Sequence, residues 1–240
     1  MFPFFIKAKN LILDILFPPI CLNCQKHLGD KNKFVCDNCL ATIKLNNTLF
    51  CPVCRARLAE NKRICHYDSS YLLAAAGNYD DPVLQNLIHY FKYKGFKNLA
   101  PVLVEILIKY LKSLSLSIVN SQRSIVVVIP LPLYKKRERE RGFNQAKLLA
   151  ESVVKQFNLE LIEPLKRIKN TKPQSQIKDP ERRQSNVFNC FTIKNPEAVK
   201  GKNIILVDDV FTSGATMNEA VKVLKQNGAK QIIALVLAKA

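Results

Sequence analysis

The chain has 240 residues, 48% of them hydrophobic, and its 37 lysines and arginines exceed its 19 aspartates and glutamates, giving a net charge of +18. The hydrophobic content excludes a disordered chain, and the length suffices for one packed core plus a small module. The positive charge favours polyanionic partners, namely nucleic acid, a phosphorylated ligand or acidic lipid.

Residues 1–19 are apolar but interrupted by charges, and no small-residue cleavage site follows them, so they do not match a secretory signal. Lys7, Asn10 and Asp14 form a polar stripe at helical spacing. This predicts an amphipathic helix that docks on the protein or, alternatively, lies on a membrane surface. Because no stretch is long enough to span a bilayer, we predict a cytoplasmic protein, with peripheral attachment to the inner membrane as the alternative.

Seven of the eight cysteines lie between residues 21 and 65, and in a cytoplasmic protein such clusters indicate metal binding rather than disulfides. The first two C-x-x-C pairs have the spacing of a zinc ribbon. We predict that one structural zinc ion is held by Cys21, Cys24, Cys36 and Cys39. Four thiolates leave no open coordination position, so a catalytic zinc is not expected.

The same unit repeats thirty positions later, which predicts a double zinc ribbon over residues 20–69. So small a module cannot bury a core, and zinc would supply about 10–16 kcal/mol of folding energy per site. The fourth cysteine of the repeat is replaced by aspartate. The predicted second site consists of Cys51, Cys54, Cys65 and Asp68. The alternatives are an empty or loosely held site or, less favoured, His66 as the fourth ligand.

Residues 70–240 are predicted to form a second domain of strands and helices. Asp81 and Pro82 give the expected cap and first position of a helix. Strands are expected over residues 71–79, 124–129, 161–168, 204–207 and 231–238, and further helices over residues 98–111, 145–156 and 217–227. Residues 169–180 are expected to form a lid or an inert surface loop, and Cys190 a buried thiol without a metal.

The last part of this domain carries a candidate phosphate and sugar site. The strand at residues 204–207 ends in Asp208 and Asp209, and a loop of hydroxyl residues and glycine leads into the next helix. A helix N-terminus offers unpaired N–H groups and positive potential to a phosphate, and the carboxylates can accept hydrogen bonds from ribose hydroxyls. Groups of this kind at the carboxyl end of a strand indicate a ligand site.

A second phosphate group is expected beside this site. The strand at residues 124–129 runs into a proline-rich loop, and a basic run at residues 135–141 follows. That run is either a solvated face or a polyphosphate contact. Arg137 and Arg141 are the candidates for the contact, because guanidinium groups bind phosphate through two parallel hydrogen bonds.

The ordered set of motifs resembles the ComF/GntX family, and the resemblance covers nearly the whole chain. Behind the cysteine ribbons it rests on Lys92-Tyr93-x-Gly95, Ile129-Pro130-Leu131-Pro132, Arg141-Gly142-Phe143-Asn144-Gln145, Thr171-x-x-Gln174, Arg183-x-x-Asn186-x-Phe188 and Val207-Asp208-Asp209-x-x-Thr212-x-Gly214-x-Thr216. Asp68 departs from the family, which usually has cysteine there.

The resemblance implies an α/β fold with the parallel sheet and flanking helices of a type I phosphoribosyltransferase, behind the double zinc ribbon. It also implies binding of phosphoribosyl pyrophosphate (PRPP) together with Mg²⁺. The residues implied for the ribose and its 5′-phosphate are Asp208, Asp209, Thr212, Ser213, Gly214, Ala215 and Thr216. Those implied for the pyrophosphate are Leu131, Pro132 and Arg141.

Some family members resemble competence proteins needed for the uptake of single-stranded DNA. The first expected function is therefore phosphoribosyl transfer to an unknown acceptor, linked to DNA uptake. The alternative is a non-catalytic protein that senses PRPP or handles single-stranded DNA alongside DNA-uptake proteins. A basic and aromatic stretch at residues 91–97 is the expected DNA track. No general base can be assigned from the sequence.

Overall fold

The computed structural model describes residues 18–59, 65–66, 69–114, 126–171, 177 and 179–240. The expected amphipathic helix over residues 1–19 lies outside this part of the chain except for its last two residues. Asp68 and half of the expected lid also lie outside it. Among the described residues, no helix has both the length and the apolar character needed to cross a membrane.

The strands lie almost entirely in the second domain. They are β1 (Leu72–Asn78), β2 (Val126–Pro130), β3 (Glu160–Leu161), β4 (Leu165–Arg167), β5 (Phe191–Ile193), β6 (Asn203–Val207), β7 (Val210–Phe211) and β8 (Ile232–Lys239). The main sheet has the order β1-β8-β6-β2-β3, with β7 also paired to β8, and its pairings are parallel. The expected parallel sheet is therefore confirmed.

The helices cover both faces of that sheet. They are α1 (Asp37–Thr42), α2 (Pro82–Tyr93), α3 (Ala100–Ser113), α4 (Lys135–Arg141), α5 (Gln145–Phe157), α6 (Pro180–Val187) and α7 (Ala215–Gln226). The side chain of Asp81 caps α2 as expected, accepting from the amides of Val83 and Leu84 at 3.0 Å. Alternate side chains of each strand point to opposite faces of the sheet. Helices α2, α3 and α5 pack on one face and α7 packs on the other.

The expected single strand over residues 161–168 is wrong. Ile162 still donates to the carbonyl of Val128 in the main sheet at 3.0 Å, but Pro164 has no N–H to continue the ladder. The chain leaves the sheet there, and β4 pairs antiparallel with β5 instead. Cys190, which precedes β5, is fully buried, as expected for a non-liganding thiol.

The cysteine-rich segment packs on the second domain at two places. Its first half joins the hydrophobic cluster that contains α2. Its second half pairs with the edge of the sheet, where Phe50 and Leu73 exchange backbone hydrogen bonds of 2.7 and 3.0 Å. The two halves therefore lie against different elements of the sheet domain.

Candidate functional site

The first cysteine cluster has the geometry of a four-thiolate zinc site. The ligand atoms of Cys21, Cys24, Cys36 and Cys39 all lie within 4.8 Å of one another. The Sγ–Sγ distance is 3.9 Å from Cys21 to Cys39 and 3.7 Å from Cys24 to Cys36. Tetrahedral zinc with Zn–S bonds of about 2.3 Å requires sulfur separations of about 3.8 Å. The donor set therefore fits the expected structural zinc.

The second cluster contains His66. Its Nδ1 atom lies 3.4 Å from Sγ of Cys51 and 3.3 Å from Sγ of Cys65, while Cys54 and Cys65 are 3.2 Å apart through their sulfurs. These four ligand atoms also lie within 4.8 Å of one another. His66 thus completes a three-cysteine, one-histidine set that zinc accepts. It was the least favoured of the sequence alternatives, and the role predicted for Asp68 stays a prediction.

Replacement of His66 distinguishes the two candidate ligands. We expect His66→Ala to lower the zinc content after mild chelation from about two ions per chain to about one, because three thiolates alone hold the metal less well. Asp68→Asn, the matched control, should keep about two. Elemental analysis measures both contents, and the opposite pattern would identify Asp68 as the ligand.

A cavity of about 230 Å³ opens at the carboxyl ends of β2 and β6. The residues expected to contact PRPP all line it: Leu131, Pro132, Arg141, Asp208, Asp209, Thr212, Ser213, Gly214, Ala215 and Thr216. The structure therefore brings the two halves of the expected site together, because β2 and β6 are neighbours in the sheet.

The loop between β7 and α7 turns tightly over an aromatic ring. Gly214 caps α7 with φ 79°, in the left-handed region that favours glycine. A Cβ atom at this position would lie 2.7 Å from Cζ of Phe211, so only glycine fits. The turn brings the first residues of α7, a helix of 12 residues, to the cavity wall, and the N-terminus of a helix attracts anions.

The two carboxylates differ in their surroundings. Asp209 is buried, and its Oδ1 atom forms an ion pair of 2.8 Å with Nζ of Lys92 from the last turn of α2. The second oxygen of Asp209 has no hydrogen-bond partner among the described residues. Asp208 lies half-buried at the cavity wall, and its Oδ1 atom accepts from the amide of Asp209 at 2.8 Å.

Burial, reinforced by the charge of Asp209, raises the pKa of Asp208 from 3.8 to about 7, although Lys92 opposes the shift. Burial acts to lower the pKa of Lys92, but the charge of Asp209, its hydrogen bond to Lys92 and the charge of Asp208 together outweigh burial and raise the pKa. An acidic group with a raised pKa holds its proton more tightly in the folded chain than in the unfolded chain.

The raised pKa of Asp208 predicts a pH dependence of stability. Between its ordinary pKa of 3.8 and about 7, the folded state binds the extra proton, so the free energy of unfolding should fall as pH rises. When one proton is released on unfolding, the free energy of unfolding changes by at most about 1.4 kcal/mol per pH unit. Urea unfolding of wild type and Asp208→Asn at several pH values isolates the contribution of Asp208, because the two proteins have all their other titratable groups in common. Equal slopes in the two proteins would contradict the shift.

Three guanidinium groups line the same cavity as the carboxylates. Arg137 and Arg141 come from α4, and Arg167 comes from β4. Burial, then repulsion from Arg167 and Arg141, lowers the pKa of Arg137. The Nη2 atom of Arg167 donates to the Thr171 hydroxyl at 2.6 Å, while its buried Nε has no partner among the described residues. Such a concentration of positive charge suits a polyphosphate.

Sequence reasoning missed Arg167 and the pairing of Lys92 with Asp209. Arg167 could have been identified as a charged residue within a predicted strand. Lys92 could have been identified from its place in the Lys92-Tyr93-x-Gly95 motif. The structure also removes Phe91 from the expected DNA track at residues 91–97. Phe91 is fully buried and packs 5.3 Å from the ring of Phe143, so it cannot stack on a base.

Comparison with known families matches two separate parts of the chain. A phosphoribosyl transferase domain matches residues 139–240, and a double zinc ribbon domain matches residues 12–67. A solved structure of Leishmania donovani UMP synthase is 16% identical with a TM-score of 0.32, covering 64% of this chain and 24% of that one, a similarity too low to inform the function.

Curated relatives span nearly the full chain. Competence protein F of Haemophilus influenzae is 29% identical over 92% of this chain and 96% of its own length. Competence protein ComFC of Bacillus subtilis is 33% identical over 87% of this chain and 79% of its own length. The DNA utilization protein YhgH of Escherichia coli K12 is 26% identical over 90% of this chain and 94% of its own length.

Fold, cavity and cysteine clusters together define a phosphoribosyltransferase-type domain that carries a double zinc ribbon. With a relative 33% identical over most of both chains, the assignment can be made more narrowly. The chain belongs to the ComF family of competence proteins.

Proposed function

We propose that the cavity between β2 and β6 binds PRPP and that the protein transfers its phosphoribosyl group to an acceptor. The observation that supports this most is the division of charge within one cavity. Two carboxylates and a helix N-terminus come from the β6–α7 segment, and three guanidinium groups come from α4 and β4, and all of them line the same cavity. PRPP has the complementary division, with sugar hydroxyls and a 5′-phosphate at one end and a pyrophosphate at the other.

The sugar end fits the β6–α7 side of the cavity. Asp208 and the free oxygen of Asp209 are acceptors for the two vicinal ribose hydroxyls. The amides at the start of α7 and the hydroxyls of Thr212 and Ser213 are donors for the 5′-phosphate. Lys92 holds Asp209 through the 2.8 Å ion pair, which fixes the orientation of that carboxylate.

The pyrophosphate end fits the arginine side. In the transfer, the C1–O bond of the ribose breaks and the pyrophosphate leaves with the electron pair, while a nucleophilic nitrogen or oxygen of the acceptor forms the new bond to C1. Positive charge develops on the sugar and negative charge on the leaving group. Arg137, Arg141 and Arg167 stabilise the leaving charge, and Asp208 lies near the developing positive charge.

Mg²⁺ fits this arrangement, because carboxylate oxygens are its preferred protein ligands and a buried oxygen of Asp209 has no partner among the described residues. Asp208 and Asp209 would hold it, together with oxygens of the substrate. When bound, the cation neutralises charge on the pyrophosphate.

Release of pyrophosphate tests the proposed reaction. Wild-type protein is incubated with PRPP and Mg²⁺, with candidate nitrogen bases or single-stranded DNA as acceptor, and pyrophosphate is measured. We expect release that depends on one acceptor class and is lost in Arg167→Met, which keeps an unbranched side chain but removes its charge. Release with no acceptor class, although PRPP binds, would favour the non-catalytic, PRPP-sensing alternative.

A role in handling DNA is the second function that we infer. It is supported by the names of the relatives, which include competence proteins and a DNA utilization protein, and by the net charge of +18. Binding to a labelled single-stranded oligonucleotide should weaken with salt, with a slope of log affinity against log salt of about −0.7 per phosphate contact. No binding at low salt would exclude direct contact with DNA.

A further inference from the structure

The duplicated ribbons place two residues in the same backbone position. Gln25 follows the second cysteine of the first ribbon, and Arg55 follows that of the second, with φ values of 61° and 60°. Each amide donates to the carbonyl of the first cysteine of its own pair, Cys21 or Cys51, at 2.9 Å. The metal-binding turn thus fixes the backbone from which each side chain leaves.

In the second ribbon this side chain reaches the loop that lines the ligand cavity. Nη2 of Arg55 donates to the carbonyl of Thr212 at 2.7 Å, and Nη1 donates to the main-chain oxygen of Ala240 at 2.5 Å. Thr212 begins the loop that lines the cavity. No comparable contact to that loop involves Gln25 among the described residues, because the first ribbon lies against α2 instead, where Asn86 donates to the carbonyl of Leu22 at 2.8 Å.

The contact completes the support of the loop. On one side, β7 pairs with β8, and the amide of Ala240 donates to the carbonyl of Phe211 at 2.8 Å. On the other side, Gly214 closes the turn into α7 over the ring of Phe211. Thr212 lies between these two fixed points, and among the described residues the donor to its carbonyl is the guanidinium of Arg55.

We propose that Arg55 is a positioning residue through which zinc at the second ribbon orders the loop at Thr212–Thr216 and raises the affinity for PRPP. The inference rests on the proposed function only for the identity of the ligand. Zinc holds Cys51 and Cys54, these fix the turn at Arg55, and Arg55 fixes Thr212. Because binding linkage is reciprocal, PRPP should raise the affinity of the second site for zinc by the same factor.

The test is a double-mutant cycle on the full chain, with PRPP affinity measured by calorimetry in the presence of Mg²⁺. Arg55→Ala removes the link, Cys54→Ala weakens the metal site, and Arg57→Ala is the matched control, an exposed cation on the same ribbon. We expect each of the first two to weaken binding about tenfold, within the usual range of coupling between sites. The double variant should be no weaker than either single one, and Arg57→Ala should match wild type.

Two outcomes would overturn the inference. Binding of Arg55→Ala within about twofold of wild type would exclude the positioning role, and additive losses in the double variant would exclude the link through the metal site.

Hydrogen exchange of the loop, measured without PRPP, keeps this test separate from that of the proposed function. Both Arg55→Ala and Cys54→Ala should speed exchange at residues 212–216 relative to Arg57→Ala. If wild type binds no PRPP but the loop responds in this way, the proposed ligand is wrong and the inferred link stands. If the loop amides exchange equally in all variants, the link is wrong whatever the ligand.

Discussion

Replacing Asp208 and Asp209 together by asparagine is expected to weaken PRPP binding by at least about 100-fold. Both side chains line the cavity, and charge-assisted hydrogen bonds are worth about 1.5–3 kcal/mol each. Two such bonds lost therefore correspond to two or more powers of ten in affinity. The volume of the side chains is nearly unchanged, so the loss reports charge rather than packing.

The controls for this variant follow from the structure. The side chain of Lys92 is only 17% exposed. Asp209→Asn leaves its amine without the ion-pair partner, and a buried charge without a partner destabilises the fold. Adding Lys92→Met to the double variant removes the unpaired charge and should restore thermal stability without restoring PRPP binding. Asp80→Asn, at an exposed aspartate, should bind like wild type. Binding by the double variant within about threefold of wild type would exclude both carboxylates from the ligand contacts.

Removing one thiolate of the first cluster is expected to unfold the first ribbon. Cys36 contributes to a four-sulfur set whose geometry fits zinc, and a structural zinc site supplies about 10–16 kcal/mol of folding free energy. The ribbon segment offers few buried side chains to replace that energy. Cys36→Ala should therefore lose one zinc ion per chain and expose residues 20–45 to limited proteolysis, while amides of β6 and β8 stay protected.

Cys190→Ala is the matched control for that experiment. This cysteine is buried outside both clusters, so its loss leaves only a small cavity, at a cost of about 1 kcal/mol. It should keep the full zinc content and a protected ribbon. A Cys36→Ala protein with unchanged zinc and unchanged proteolysis would mean that this cluster is not a structural metal site.

The ligand cavity was predictable where its parts are contiguous in sequence. Strand, acidic pair, loop and helix follow one another from β6 to α7, so local pattern was enough to expect Asp208, Asp209 and the loop on one wall. The arginine wall was predictable in part, because α4 follows directly from β2 and adjacent parallel strands end at the same edge. Arg137 and Arg141 were expected for this reason, whereas Leu131 was implied only by the family resemblance.

Features that depend on tertiary packing were not predictable in the same way. Lys92 meets Asp209 only because α2 packs along the sheet, and Arg167 enters the cavity only because Pro164 diverts the chain from the main sheet into the β4–β5 pair. His66 was the least favoured ligand because it follows Cys65 directly and needs a tight turn. The structure nevertheless brings both side chains to the cluster, with Nδ1 of His66 3.3 Å from Sγ of Cys65.

Phe91 is the opposite case, a residue whose burial was predictable from the sequence alone. Phe91 has helical spacing with Leu84, Leu87 and Ile88 in the sequence, which predicts that the four share one apolar face of α2, and all four are fully buried. The same residue was nevertheless assigned to a DNA track because lysines flank it. The helical periodicity of apolar residues indicates which side chains are buried. Alternation of basic and aromatic residues does not indicate whether they are exposed, so the periodicity is the better guide for Phe91.

Calorimetric titration of the zinc-loaded wild-type protein with PRPP in the presence of Mg²⁺ tests the central claim most directly. The charge distribution of the cavity predicts saturable binding of about one PRPP per chain with a Kd below about 1 mM, the upper end of the range usual for enzyme substrates. Ribose 5-phosphate, which lacks the pyrophosphate, should bind more weakly because it leaves Arg137, Arg141 and Arg167 without an anion. No saturable heat up to about 1 mM PRPP would contradict the proposal that this cavity is a PRPP site.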